Sequence, residues 1–122
     1  MLISLTLPRT NEYMTEAVIR KIYATEGELL AVGAKFLDFA VDLSARVPHD
    51  CPPIQHYRLA VRDRAWLRRL KVVAGDEVPM GATLALFSTA PDEPLDGKPA
   101  RAVRVSLAGI IDSSDWWVGP GA

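Results

Sequence analysis

Four side chains that could carry chemistry crowd one short stretch: His49, Asp50, Cys51 and His56. A cysteine beside an imidazole can form a thiolate–imidazolium pair and act as a nucleophile. Histidine with cysteine is also a ligand set suited to zinc. The spacing argues against both readings. A single residue separates His49 from Cys51, Pro52 and Pro53 follow at once, and neither a second cysteine nor a spaced histidine pair completes a metal site. The stretch reads as an ordinary loop, with no recognisable oriented base or oxyanion arrangement to make it a small enzyme. Asp38 and Asp42 stand four apart on one face of an extended segment, as paired carboxylates for acid–base work could. Alternation toward solvent accounts for them more simply. Arg58, Arg62, Arg64, Arg68 and Arg69 could grip an acidic partner surface or phosphates. Arg58 and Arg62, however, fall on the side opposite Tyr57, Leu59 and Val61, which marks a solvated strand face. No catalytic residue, metal ligand or bound cofactor is expected.

Composition narrows the setting. The chain has 122 residues, enough for one domain with a modest core. It is 49% hydrophobic and 24% charged, an ordinary globular balance. A net charge of −1, and an arginine run without interleaved aromatics, argue against a nucleic-acid or membrane-surface partner. The single cysteine, Cys51, excludes an intrachain disulfide and suits a reducing compartment. The opening "MLISLTLPRTNEY" has no basic region ahead of an apolar run that stops at Pro8, too short for a signal core. No stretch approaches the roughly 20 apolar residues of a membrane span. A cytoplasmic protein is the expectation.

The elements that would position these residues are written twice. A shift of 48 residues carries Ile19–Phe39 onto Leu67–Phe87 without a gap. Arg20, Gly27, Gly33, Ala34 and Phe39 meet Arg68, Gly75, Gly81, Ala82 and Phe87 as identities. Agreement at both glycines matters most, because such pairs mark turns that need positive φ rather than mere hydrophobicity. Within a unit, "VIRKIYATEGE" predicts a strand entering a glycine turn. "LLAVGA" crosses over, and "KFLDFAVD" alternates Leu37, Phe39 and Val41 against Asp38, Ala40 and Asp42. The second unit repeats this in "LRRLKVVAGDEVPMGATLALF", where Pro79 implies an irregular or edge segment. "LISLTL", "HYRLAVR" and "AVRVSLA" alternate in the same way and predict flanking strands, the last one half-buried through Val103, Val105 and Leu107. Short strands with glycine and proline punctuation predict an all-β barrel or sandwich, its two units packed as a pseudo-twofold pair.

Pro8, Glu12 and "MTE" (Met14–Glu16), then "EGE" with Gly33, then "AGDEVPMG" carry a resemblance to the lipoyl domain of 2-oxo-acid dehydrogenase acyltransferases, within the wider lipoyl/biotinyl carrier family. It covers about two thirds of the chain. It implies a flattened barrel-sandwich hybrid of two quasi-symmetric halves over residues 1–90, followed by a linker and C-terminal strand or tail over 91–122. Asn11 and Ala17 stand where the family usually has glycine. The largest departure lies after "KFLDFAVD". The family's hairpin tip there reads Asp-Lys-Ala, and the lysine carries the lipoyl or biotinyl group; here it reads Asp42-Leu43-Ser44. The group is joined through an amide, which requires a primary amine as nucleophile. Leu43 has none.

The segment 45–64 is also longer than the family's usual link, and is expected as an enlarged hairpin at that end. The resemblance therefore implies a non-enzymatic module that has vacated its attachment position and acts by protein–protein contact, as an accessory to an acyl-transfer complex. The alternative is a working carrier modified on a different lysine, such as Lys35. Trp116 and Trp117 are expected to cap the barrel end or to mediate self-association through the C-terminal tail, in preference to docking on a foreign partner.

Overall fold

The computed structural model describes residues 1–10, 14–42 and 54–110. Ten strands follow in chain order: β1 (Leu2–Thr6), β2 (Glu16–Ile22), β3 (Leu29–Leu30), β4 (Lys35–Asp42), β5 (Ile54–Val61), β6 (Ala65–Leu70), β7 (Glu77–Pro79), β8 (Thr83–Ser88), β9 (Arg101–Ala102) and β10 (Val105–Ile110). They form two five-stranded sheets, ordered β3-β6-β8-β1-β9 and β10-β5-β4-β2-β7. The fold is all-β, as composition and alternation predict.

The doubling is visible bond by bond. Carrying β2, β3 and β4 onto β6, β7 and β8 turns the inner order of one sheet into that of the other. In β2–β4, Ile19 faces Phe39 and Lys21 faces Asp38, with a bulge between. In β6–β8, Leu67 faces Phe87 and Arg69 faces Leu86, with a bulge at the same place. The bulged residues, Arg20 and Arg68, are one of the repeat's identities. A bulge adds one unpaired residue and bends its strand, so shared position means shared curvature.

Each half also lends its short strand to the other half's sheet: β3 pairs with β6, and β7 with β2. The turns that launch these crossings are equivalent. Gly27 N–H donates to the Leu67 carbonyl and Gly75 N–H to the Ile19 carbonyl, both at 2.7 Å. Gly27, Gly33, Gly75 and Gly81 have φ of 92°, 90°, 98° and 86°, the region that L side chains enter only with strain. Pro79 closes β7 at a sheet edge, where a missing N–H is tolerated.

One core lies between the sheets. Phe36, Phe39, Leu59 and Ile19 of one sheet pack against Ile3, Leu5, Leu67 and Phe87 of the other, all essentially inaccessible. The Phe36 and Phe87 rings meet edge to face, centroids 5.5 Å apart.

The stretch 54–61 is β5, the expected "HYRLAVR" strand, and it pairs antiparallel with β4 over its length and stands second in its sheet. It occupies the role that β1 holds in the other sheet, for Gly33 N–H bonds the Val61 carbonyl as Gly81 N–H bonds that of Leu7. Residues 43–53 lie outside the described residues. "AVRVSLA" is two strands rather than one. β9 runs parallel to β1, the chain crosses at Val103 and Arg104, and β10 runs antiparallel to β5 at the edge of the second sheet. Val103 is buried, whereas Leu107, on the edge strand β10, is 36% exposed.

Candidate functional site

Asp42 is the last residue of β4 and is exposed. Leu43, expected from the resemblance to stand at a vacated attachment position, and Ser44 lie outside the described residues. Lys35, the candidate substitute, is the first residue of the same strand. At about 3.3 Å per residue, the length of β4 separates it from Asp42 by roughly 23 Å. Lys21, Lys71 and Lys98 are distributed over the β2 end, the segment after β6 and the loop before β9.

Asp38 does not face solvent. Although it alternates with core residues, it is only 8% exposed, because β4 is the central strand of its sheet and neighbours on both sides cover it. Register places Lys21 of β2 and Arg58 of β5 directly opposite Asp38. Arg58 Nε donates to Asp38 Oδ1 at 3.0 Å and Nη2 to Oδ2 at 3.3 Å. Tyr23 Oη donates to Asp38 Oδ2 at 2.6 Å and accepts from Arg58 Nη2 at 2.9 Å. Arg58, expected as a solvated residue, is thus half-buried and ion-paired. The hydrogen bond to Asp38 raises the Tyr23 phenol above its ordinary 10, aided by partial burial. It also raises the Arg58 guanidinium. A phenol so held is a donor and a spacer, not a nucleophile near neutral pH. The ammonium groups of Lys21 and Lys35 stand 5.0 and 5.1 Å from the Tyr23 ring centroid, with the Arg58 guanidinium carbon at 5.3 Å.

A second cluster fastens the C-terminal strands. Asp63, in the turn between β5 and β6, is 6% exposed. Its carboxylate accepts from Arg101 Nη1 and Nη2 at 2.8 and 3.0 Å. It also accepts from Arg104 at the backbone N–H (2.8 Å), Nε (3.1 Å) and Nη2 (2.6 Å). Arg101 first, then Arg104, holds this carboxyl well below the usual carboxylate range. The clasp sits where the chain passes from β9 in one sheet to β10 in the other.

His49, Asp50 and Cys51 lie outside the described residues. His56 is in β5, opposite Ala40 and Ile110. Of the remaining arginines, Arg62 is exposed at the end of β5. Arg64 lies over the Trp66 ring at 5.7 Å. Arg68 donates to Ser88 Oγ at 3.1 Å and to the Glu93 carbonyl at 2.8 Å. The arginine run therefore does several separate jobs rather than forming one site. Among the described residues no group of three His, Cys, Asp or Glu side chains could hold a metal ion.

Sequence reasoning passed over Tyr23 and Asp63. Tyr23 follows a strand and could be located only by knowing that β2, β4 and β5 are neighbours. Asp63 stands beside Arg62 and Arg64 in "RDR", which hides partners about 40 residues away. No known protein-family model matches the chain, and no curated protein matches it.

Proposed function

We propose that the protein is a lipoyl-domain-like module, a barrel-sandwich hybrid of two quasi-equivalent halves, that carries no swinging prosthetic group and acts by protein–protein contact. The observation that carries this reading is Asp42-Leu43-Ser44 directly following the central strand of a doubled β framework. That position needs an amine to form an amide link, and an aliphatic side chain cannot supply one. Repetition of bulges, positive-φ glycines and crossed short strands supports the kinship of the two halves. The role is that of an accessory to an acyl-transfer or 2-oxo-acid dehydrogenase-type complex in the cytoplasm, with no chemistry performed by the module itself.

Intact-mass measurement on protein isolated from its native host tests the reading. The unmodified mass is expected; an added lipoyl or biotinyl group refutes it. The competing reading, a carrier modified on Lys35, meets the distance of that lysine from the β4 exit and its engagement with the Tyr23 ring. Peptide mapping of any modified species separates the two.

A further inference from the structure

We propose that the outer face of the β10-β5-β4-β2-β7 sheet, at the end marked by Tyr23, is a docking surface for a carboxylate-rich segment of a partner protein. The inference rests on the protein-contact reading above and names the surface and the chemistry of what it takes.

The doubled framework supplies an internal control. Shifting Lys21, Tyr23, Lys35 and Asp38 by 48 residues gives Arg69, Lys71, Thr83 and Leu86. The second half keeps the backbone but has no ring and no carboxylate there, so the framework does not require the cluster. The outer face of the other sheet is covered by its own chain near the Leu2–Ser88 pair, next to the counterpart of the cluster. Leu2 is buried there, 3.9 Å from where a Cβ on Gly97 would lie, and Arg68 reaches the Glu93 carbonyl. Around the Tyr23 cluster, Lys21 and Lys35 are both exposed.

The charges are unbalanced. Asp38 neutralises Arg58, whose Nε and Nη2 it engages. No carboxylate among the described residues pairs with Lys21 or Lys35, whose partner is the tyrosine ring. Two uncompensated positive charges thus flank one aromatic ring, in a chain whose net charge is −1. Such a field orients an approaching anionic surface and raises its association rate.

The donors that remain select the ligand class. Asp38 occupies the arginine fork that a single phosphate would favour. What is left are two compact ammonium groups no more than about 10 Å apart, since each lies about 5 Å from the same centroid. Carboxylates at alternate positions of an extended segment are about 7 Å apart and on one side, which lets one meet each lysine.

The test is a titration of the full chain with an amidated hexaglutamate peptide, followed by backbone amide shifts and calorimetry at low and moderate salt. Saturable, salt-sensitive binding is expected, with the largest shifts at residues 21–23, 35–38 and 58. The double variant K21E/K35E should bind at least about tenfold more weakly, since both pairs are lost and reversal adds repulsion. K71E/K98E changes net charge equally but away from the patch, and should bind as the parent does. K21Q/K35Q, which keeps the stems that pack on the ring, should fall between; melting curves confirm folding of every variant.

Absence of binding at millimolar peptide, equal weakening in both charge-reversed pairs, or shifts centred elsewhere overturns the proposal. So does tighter saturation of the same residues by tripolyphosphate, which assigns the patch to phosphate. A dimer that dissociates in K21E/K35E assigns it to a second copy and overturns the proposal too. None of these outcomes alters the mass of the native protein, so the reading of an unmodified module stands or falls separately.

Discussion

Replacing Asp63 with alanine should release the C-terminal strands from the body of the fold. The carboxylate is nearly inaccessible, and it holds Arg101 and Arg104 together with the Arg104 backbone N–H. A hydrogen bond to a charged group is worth about 1.5–3 kcal/mol when its partner is well sheltered. The guanidinium groups here are not: the Arg101 and Arg104 side chains are 37% and 73% exposed, and both regain water when the carboxylate is lost. Discounting them to the surface range of below about 1 kcal/mol each, and adding the backbone bond at about 1 kcal/mol, gives a loss of about 1.5–3 kcal/mol. For a domain of this size that lowers Tm by about 8–15 °C.

Urea unfolding gives the magnitude, and amide exchange gives the place. β10 amides bonded to β5 should exchange much faster in D63A, while β2 and β4 change only in proportion to global stability. The pH dependence follows from linkage. A carboxyl depressed in the folded state contributes stability that is complete above its unfolded value of 3.8. That contribution is lost progressively as pH falls toward the folded value. The parent should therefore lose stability between about pH 4 and pH 2 more steeply than D63N, whose amide does not titrate. A loss below about 0.5 kcal/mol in D63A with unchanged β10 exchange, or parallel acid profiles for parent and D63N, refutes the assignment.

Other outcomes follow from the same structure. Gly27→Ala and Gly75→Ala each place a side chain at φ near +90°; each should cost about 1–2 kcal/mol by urea unfolding, and by similar amounts because the turns are equivalent. Phe87→Ala removes a fully buried ring that meets Phe36 and should cost about 3–5 kcal/mol, read from the same curves. Tyr23→Phe deletes the hydroxyl that bridges Asp38 and Arg58 and should cost about 1 kcal/mol at neutral pH. Because the Tyr23 phenol is raised in the folded state, its contribution is complete below pH 10 and is lost as pH climbs through the folded value. The difference between parent and Tyr23→Phe should therefore narrow in strong alkali.

Much of the architecture was legible in the residues. Gly27, Gly33, Gly75 and Gly81 announced four positive-φ turns and the offset that relates them, because backbone dihedrals are local and glycine enters this region without a side-chain penalty. Alternation placed β1, β4 and β5, since side chains on a strand change sides at every residue, and the repeat with its flanking strand signals placed β2, β6 and β8. The exchange of β3 and β7 between sheets was not legible, because a strand of two or three residues has too little pattern to name its partner. Nor could alternation tell that Asp38 is sheltered, for its cover comes from Tyr23 and Arg58 on neighbouring strands. Asp63 depends on arginines 38 and 41 residues away. Local geometry follows from residue type alone, whereas burial and charge pairing depend on which distant segments the fold brings side by side.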